Sequence, residues 1–437
     1  MSEPRATSVF ARLHGDAAGI LAVKIGGTGL AFGAQLVLAR ALGADGLGAY
    51  ALAMALLNAL LVFSRMGFDI SSLRIAPLLL DDDDRRGLAG FLRVSRRVPA
   101  LAAVLLSGAA AAGVVLVMEP GFVRASILVA TVGLLPWTMV LVDQGRLRAL
   151  GRRVAAFVPG EVVRPGVLLA GASAGAALGW IGGSSGAPRA VALHLLALIV
   201  AALLALRLMR ATVPTPVRSA DPDLRTSDWI RTSLGLGLVT GLTALLAQVD
   251  TLLLGSLADP GDVGLFALAR RVAALLGFGL LAVNSAVAPD FSRLYRAGRS
   301  RELAALTRRA ALLATAATLP PVLAFALFGR WILGWFGPEF PAAYPMLLVF
   351  AGGQLVNAAC GPVALLATLT GHARTTALVL AGALATLAAG VLWATPRFGV
   401  LGTAVVSAGV MAGWNLVMVV VVRAILRKGP EDGGGHG

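Results

Sequence analysis

Several ionisable residues of this 437-residue chain lie inside long apolar stretches: Lys24, Glu161, Arg164, Asp250, Arg270 and Arg271. On insertion scales a charge near the middle of a bilayer costs about 2.5–3.5 kcal/mol, so such groups face a cavity or one another. Glu161 and Arg164 are three residues apart, a helical spacing that allows either an internal ion pair or a shared cavity lining. Asp250 lies one stretch before Arg270 and Arg271 and at similar depth, so either arginine can reach it. Adjacent helical residues diverge by about 100°. Only one arginine can therefore satisfy the aspartate well, and the other faces elsewhere. Lys24 has no acidic neighbour on its own stretch, Asp16 being two turns away. It either snorkels to the interface or looks into a cavity.

Three bases, or four with Arg164, stand against two acids in these stretches. A cavity with that balance prefers an anion. Guanidinium groups bind phosphate through paired hydrogen bonds, which makes a diphosphate-bearing ligand a chemically sensible occupant. Gln35 and Asn357 offer hydrogen bonds either to sugar hydroxyls or between helices. Asp250 and Glu161 are the candidates for taking up a proton or positioning a sodium ion.

Other chemistries lack their residues. A phosphate-binding loop needs Gly-Lys-Ser/Thr, and the two lysines, Lys24 and Lys428, are followed by Ile25 and Gly429. His14, His194, His372 and His436 have no metal-ligand spacing, so neither metal nor cofactor is expected. Cys360 is the sole cysteine, which rules out an internal disulfide and a thiolate cage. The run Asp81 to Asp84 is followed by Arg85 and Arg86 and reads as a solvated turn. An enzyme acting on membrane-bound sugars needs a sizeable outward loop for its acceptor. The longest candidate, about 330–341, is short, so no enzymatic activity is expected.

The elements that carry these residues are membrane helices. The chain is 58% hydrophobic and 14% charged, with a mean hydropathy of +0.84; soluble domains carry about 25% charged residues. Twelve apolar stretches of spanning length follow one another. They lie near 17–41, 46–65, 98–118, 125–142, 156–180, 188–207, 233–257, 263–288, 310–329, 342–368, 375–395 and 400–422. The first is longer than a signal-peptide core and lacks a convincing cleavage site, so it is expected to be retained. Of 37 Lys and Arg, 29 fall on the segments of one side when Arg164 is counted with the side it lies nearer, and five on or beside the other. By the positive-inside rule both termini then face the cytoplasm. The formal charge of +15 is an orientation signal, and no nucleic-acid partner is expected.

The segment around Met209 to Asp228 holds Pro214, Pro216 and Pro222 among polar residues and resists helix propagation. It divides the chain into a six-helix lobe over 1–208, a cytoplasmic linker over 209–230 and a second six-helix lobe over 231–437. Short matches link the halves: Gly48-Ala49-Tyr50-Ala51-Leu52-Ala53 with Gly264-Leu265-Phe266-Ala267-Leu268-Ala269, Ser95-Arg96-Arg97 with Thr307-Arg308-Arg309, and Gly151 with Gly371. An even number of spans per half makes these parallel repeats, an architecture that places substrate between the halves near the midplane. The expected fold is all-α, with about twelve transmembrane helices in two pseudo-symmetric lobes around a central cavity. Gly26, Gly29 and Gly33 read as a face for close helix approach, and Pro136, Pro289, Pro320, Pro321 and Pro362 as candidate kinks.

Leu38-Ala39-Arg40-Ala41-Leu42-Gly43, then Gly46-Leu47-Gly48-Ala49-Tyr50, Gly67-Phe68-Asp69 with Arg74, and Gly337-Pro338-Glu339-Phe340 resemble the polysaccharide (O-antigen-type) flippase family. That family shares a superfamily with the multidrug and toxin extrusion transporters. The resemblance covers nearly the whole chain. It implies alternating-access movement of a polyprenyl-diphosphate-linked oligosaccharide from the inner to the outer leaflet of a bacterial inner membrane. It further implies a monomer whose partners are membrane lipids and a glycan polymerase or glycosyltransferases. Basic cavity residues would hold the diphosphate, and Lys24 with Arg270 or Arg271 match by depth. Relatives that carry the peptidoglycan precursor have two further helices, which this sequence does not offer. The alternative is a multidrug or cation antiporter, a class that favours acidic cavities where this chain has Lys24.

Overall fold

The computed structural model describes residues 4–428, with side chains for Asp16 and for 18–427. His14 and His436 lie outside the residues whose side chains are described, as do the two chain ends.

The protein is all-helical, and each of the twelve apolar stretches falls largely on helix. In chain order the helices are α1 (Pro4–Arg65), α2 (Phe68–Asp81), α3 (Arg85–Val117), α4 (Phe122–Val132), α5 (Leu134–Ala149), α6 (Arg164–Ala177), α7 (Ala187–Thr212), α8 (Thr215–Arg218), α9 (Thr226–Leu246) and α10 (Val249–Leu254). They continue as α11 (Pro260–Ala274), α12 (Phe278–Arg296), α13 (Ser300–Gly334), α14 (Tyr344–Cys360), α15 (Val363–Leu369) and α16 (Ala373–Lys428). Eight helical segments among the described residues are long and apolar enough to cross a membrane, or nine if α4 and α5, bent by 41°, act as one. The longest of them each hold two of the expected spans. Thus α1 breaks at Gly43 (φ 68°) and α16 at Gly399 (φ 62°), a backbone region that L side chains resist. This is a multi-pass membrane protein.

Packing divides the chain into two compact units, Met1–Gly241 and Leu242–Gly437. The division falls inside α9, beyond the proline-rich segment at 209–230. The reason lies in how α9 begins. Trp229 is buried edge-on against Phe91 at 5.5 Å, Ser233 shares a hydrogen bond of 2.6 Å with Ser71, and Gly237 abuts Gly67. The proline segment is itself anchored, since Val217 of α8 lies in the same apolar cluster as Phe68, Phe91 and Trp229.

Around this cluster the Gly67-Phe68-Asp69 motif is a packing hub. A Cβ at Gly67 would lie 2.1 Å from the Ser233 carbonyl, and one at Gly145 of α5 would lie 2.1 Å from the Asp69 carbonyl. Phe68 is fully buried. Asp69 pairs with Arg65 at 2.8 Å. Burial pushes the Asp69 carboxyl above its ordinary value, with Arg65 pulling the other way. In the expected solvated turn, Asp84 accepts from the Gly87 amide at 2.8 Å and caps α3, and Asp83 pairs with Arg85 at 3.1 Å.

One expectation about helix geometry is corrected. The close approach of α1 is made at Gly27, where a Cβ would fall 1.9 Å from the Glu161 carbonyl oxygen. Nothing lies within 4 Å of the corresponding position at Gly26 or Gly29, and Gly33 meets only the Leu169 side chain. The prolines also divide. α13 runs unbroken through Pro320 and Pro321 and α12 through Pro289, whereas Pro362 sits in the gap between α14 and α15.

In the second unit a separate apolar cluster joins α12, α13, α15 and α16 through Phe291, Leu303, Leu366 and Met418.

Candidate functional site

The fifth span is interrupted where the sequence reads Pro159-Gly160-Glu161-Val162-Val163-Arg164-Pro165. Residues Pro159–Val163 form a π turn, in which the Arg164 amide donates to the Pro159 carbonyl. Pro165 has no N–H to offer the Glu161 carbonyl, so the regular α-helical ladder cannot form there. Gly27 lets α1 pack directly onto that carbonyl. The local sequence thus widens the helix at the position of Glu161 and Arg164, and both side chains are half-buried.

Arg164 is held on several sides. Its Nε donates to the Gly160 carbonyl at 3.1 Å, its Nη1 lies 3.4 Å from His194 Nε2, and its guanidinium carbon sits 4.8 Å from the Trp137 ring centre. Trp137 in turn donates to Asn58 Oδ1 at 3.3 Å. His194, on α7 and 7% exposed, places Nδ1 2.6 Å from the Tyr50 hydroxyl. Lys24 is half-buried with Nζ 5.2 Å from the centre of the Phe157 ring, and Arg148 takes the same ring at 5.3 Å. Cation–π contact stabilises a cation without cancelling its charge. Among the described residues no carboxylate pairs with Lys24. The structure therefore brings Lys24, Glu161 and Arg164 into one neighbourhood of the first unit.

The second unit holds Asp250, Arg270, Gln354 and Asn357. Here too a helix is broken, between α9 and α10. The Thr251 amide donates to Asp250 Oδ1 at 2.7 Å instead of to the Ala247 carbonyl, and the freed carbonyl accepts from Arg270 Nη2. Arg270 Nη1 closes the arrangement on Asp250 Oδ1 and lies 3.4 Å from the Thr251 hydroxyl. The Asp250 side chain is 2% exposed. Arg271 is exposed on α11, so Arg270 is the arginine that satisfies the aspartate. This group borders a cavity of about 280 Å³ that Gln354, Ser407 and Trp414 also line. Asn357 donates to Gln354 Oε1 at 3.3 Å, and the Ser407 hydroxyl has no partner among the described residues. Gln35 is half-buried on α1.

Sequence reading missed Tyr50, Asn58, Trp137 and His194. In sequence His194 reads only as a possible metal ligand, and Tyr50 only as part of a repeat and of a family-like motif. Yet the repeat held a usable signal, because the residue matching Tyr50 in the second half is Phe266. Phe266 packs edge-on against Phe350 at 5.3 Å, and the hydroxyl is the one feature that packing alone does not require.

No family model matches the sequence, and no curated protein matches it. Solved structures do match its fold. An inward-facing multidrug resistance transporter of the MATE family, MOP superfamily, aligns with a TM-score of 0.76 at 15% identity, over 91% of this chain and 94% of that one. The lipid II flippase MurJ, in an inward closed conformation, gives 0.71 at 12% identity, over 93% and 87%. A MOP superfamily transporter from Pyrococcus furiosus, described as having a binding pocket of reversed polarity, gives 0.61 at 16%, over 94% and 95%. The chain has the fold of these transporters.

Proposed function

We propose that the protein is a flippase that moves a polyprenyl-diphosphate-linked oligosaccharide from the inner to the outer leaflet by alternating access. The observation that carries this reading is Lys24. It is a half-buried cation on a membrane helix, seated on an aromatic ring, with no described carboxylate to neutralise it. Arg164 in the same neighbourhood adds a planar donor suited to phosphate. The diphosphate that joins the polyprenyl chain to the oligosaccharide supplies the missing negative charge. The likeness to MurJ, a lipid II flippase by name, is in keeping with a lipid-linked cargo.

In this reading Arg270 acts differently from its sequence-based assignment, because Asp250 already neutralises it. Its role is to seal the α9–α10 break and border the unit's own cavity, with Gln354 and Asn357 offering polar contacts there. Glu161 is left as the carboxylate nearest the basic cluster along the chain and so as a coupling candidate. We place the protein in a bacterial inner membrane with both termini in the cytoplasm. It acts as a monomer that receives its cargo from glycosyltransferases and passes it to a glycan polymerase.

The competing reading, a multidrug or cation antiporter, draws on the likeness to the MATE transporter. A cation exchanger needs a carboxylate available in the membrane; Asp250 is occupied by Arg270, and Glu161 stands on the same turn as the cation Arg164. Single replacement of Lys24, Arg164, Arg270 and Arg271 by Ala, with surface-glycan export as the readout, separates the two. The flippase reading expects export to fall at least tenfold for Lys24→Ala. Unchanged export in all four variants, together with a gain in drug tolerance from the wild type, overturns it.

A further inference from the structure

The geometry points to a sugar-binding site inside the second unit: the cavity beside Arg270 takes one uncharged sugar ring. The inference rests on the flippase reading above for the source of the sugar, while the site is argued from its own walls.

Charge narrows the ligand first. Asp250 and Arg270 are the ionisable side chains on the cavity wall, and each answers the other. An ion entering this cavity would give up its water and find no unmatched counter-charge in return. The occupant is therefore uncharged. In this the cavity differs from the surroundings of Lys24, a cation with no described carboxylate beside it.

Hydrogen-bonding capacity narrows it further. The bonds to the Asp250 carboxylate come from the Thr251 amide, the Thr251 hydroxyl and Arg270, and all fall on Oδ1. Oδ2 keeps its lone pairs. Gln354 spends one end of its carboxamide on Asn357 at 3.3 Å and keeps the other. The Trp414 indole N–H and the buried Ser407 hydroxyl have no partner among the described residues. Polar groups at membrane depth are costly to leave unpaired. A wall that holds both acceptors and donors in reserve suits a ligand that gives and takes hydrogen bonds, as a sugar hydroxyl does.

Shape completes the argument. The rest of the wall is apolar, with Leu246, Phe350, Leu387 and Met411 beside Trp414. Water alone would meet the polar groups but leave this surface wet. A pyranose has C–H faces as well as hydroxyl edges, and an indole offers an apolar ring with a polar handle to match. At about 280 Å³ the cavity falls just below the usual range of ligand pockets, about 300–1,000 Å³, so it holds one ring rather than a chain. Leu387 and Ser407 stand on opposite sides of the break at Gly399, so a ring bound here touches both arms of α16.

The test is saturation-transfer NMR on the purified full-length protein in a sugar-free detergent, lauryldimethylamine oxide. The probes are the methyl glycosides of glucose, galactose and mannose, with methyl glucuronide as the charged comparison. At least one neutral glycoside should receive transfer, strongest at its ring C–H protons, and the glucuronide about tenfold less. Gln354→Leu and Trp414→Leu should each lower affinity about tenfold, and Trp414→Phe, which keeps a ring, should lose less than Trp414→Leu. Lost binding accompanied by lower surface-glycan export in these variants assigns the ring to the cargo; lost binding with normal export assigns it to a free sugar. Transfer to no neutral glycoside, or equal transfer in the wild type and both leucine variants, overturns the sugar site and leaves the diphosphate reading to the Lys24→Ala export test. Should either leucine variant fail to fold, the wild type decides alone: equal transfer to neutral and charged glycosides overturns the site.

Discussion

The two units each break a membrane helix and place an arginine at the break, but they treat its charge in opposite ways. In the second unit Arg270 mends the gap between α9 and α10 and is matched by a buried carboxylate, Asp250. In the first unit Arg164, beside the π turn, is seated on an indole and faces an imidazole, while Lys24 is seated on a phenyl ring. A break closed by an ion pair is a finished structure. At the other break a phenyl ring stabilises Lys24 without cancelling its charge. Position within a span therefore says little about whether a basic residue serves the fold or a ligand; the chemistry of what touches it decides.

That contrast can be broken most directly at Arg270. Arg270→Ala leaves Asp250 buried and unmatched, and loss of one partner of a buried pair costs about 3–5 kcal/mol. The purified variant should melt well below the wild type, and the double variant Asp250→Leu with Arg270→Met should recover most of the loss. A double variant as unstable as the single would show that the pair does more than close the helix. Next in size is Gly27→Ala. Its methyl would collide with the Glu161 carbonyl, and overpacking of this kind costs about 1–3 kcal/mol. Gly26→Ala, which meets open space, should leave the melting temperature unchanged.

Lys24→Ala sharpens the comparison from the other side. Melting should shift by under about 1 kcal/mol, because a single exposed-edge cation–π contact is worth about 0.5–1 kcal/mol, whereas export should drop at least tenfold. A protein that loses stability but exports normally would assign Lys24 to the fold. The smallest effect belongs to Arg271→Ala. The residue is exposed, and a surface change of this type stays within about 0.5 kcal/mol.

Much of this was readable from the amino acids. Span number and helical class follow from apolar stretch length, which lipid enforces because only helices satisfy their own backbone groups. Pairing of Asp250 with one of two adjacent arginines follows from the angle between neighbouring helical positions. The choice between Arg270 and Arg271 does not, since it depends on how α11 is rotated in its unit. Glycine spacing pointed to Gly26, Gly29 and Gly33, but the contact is at Gly27, one position over, because the partner surface is an unladdered carbonyl rather than another row of small side chains. His194 was invisible as a functional residue for a related reason. Its neighbours, Tyr50 and Arg164, are 144 and 30 residues away in the chain, on helices whose juxtaposition no local pattern encodes.

The turn at Gly43 has a mechanical corollary. One residue with non-helical backbone angles breaks the helix between the first two spans, and the Gly183 amide fastens that corner by bonding the Ala41 carbonyl at 2.8 Å. A linkage so short has no slack to absorb. The arm that carries Lys24 and the arm that carries Tyr50 thus meet at one pinned corner, and a side chain forced into the positive φ of Gly43 would strain both arms at once.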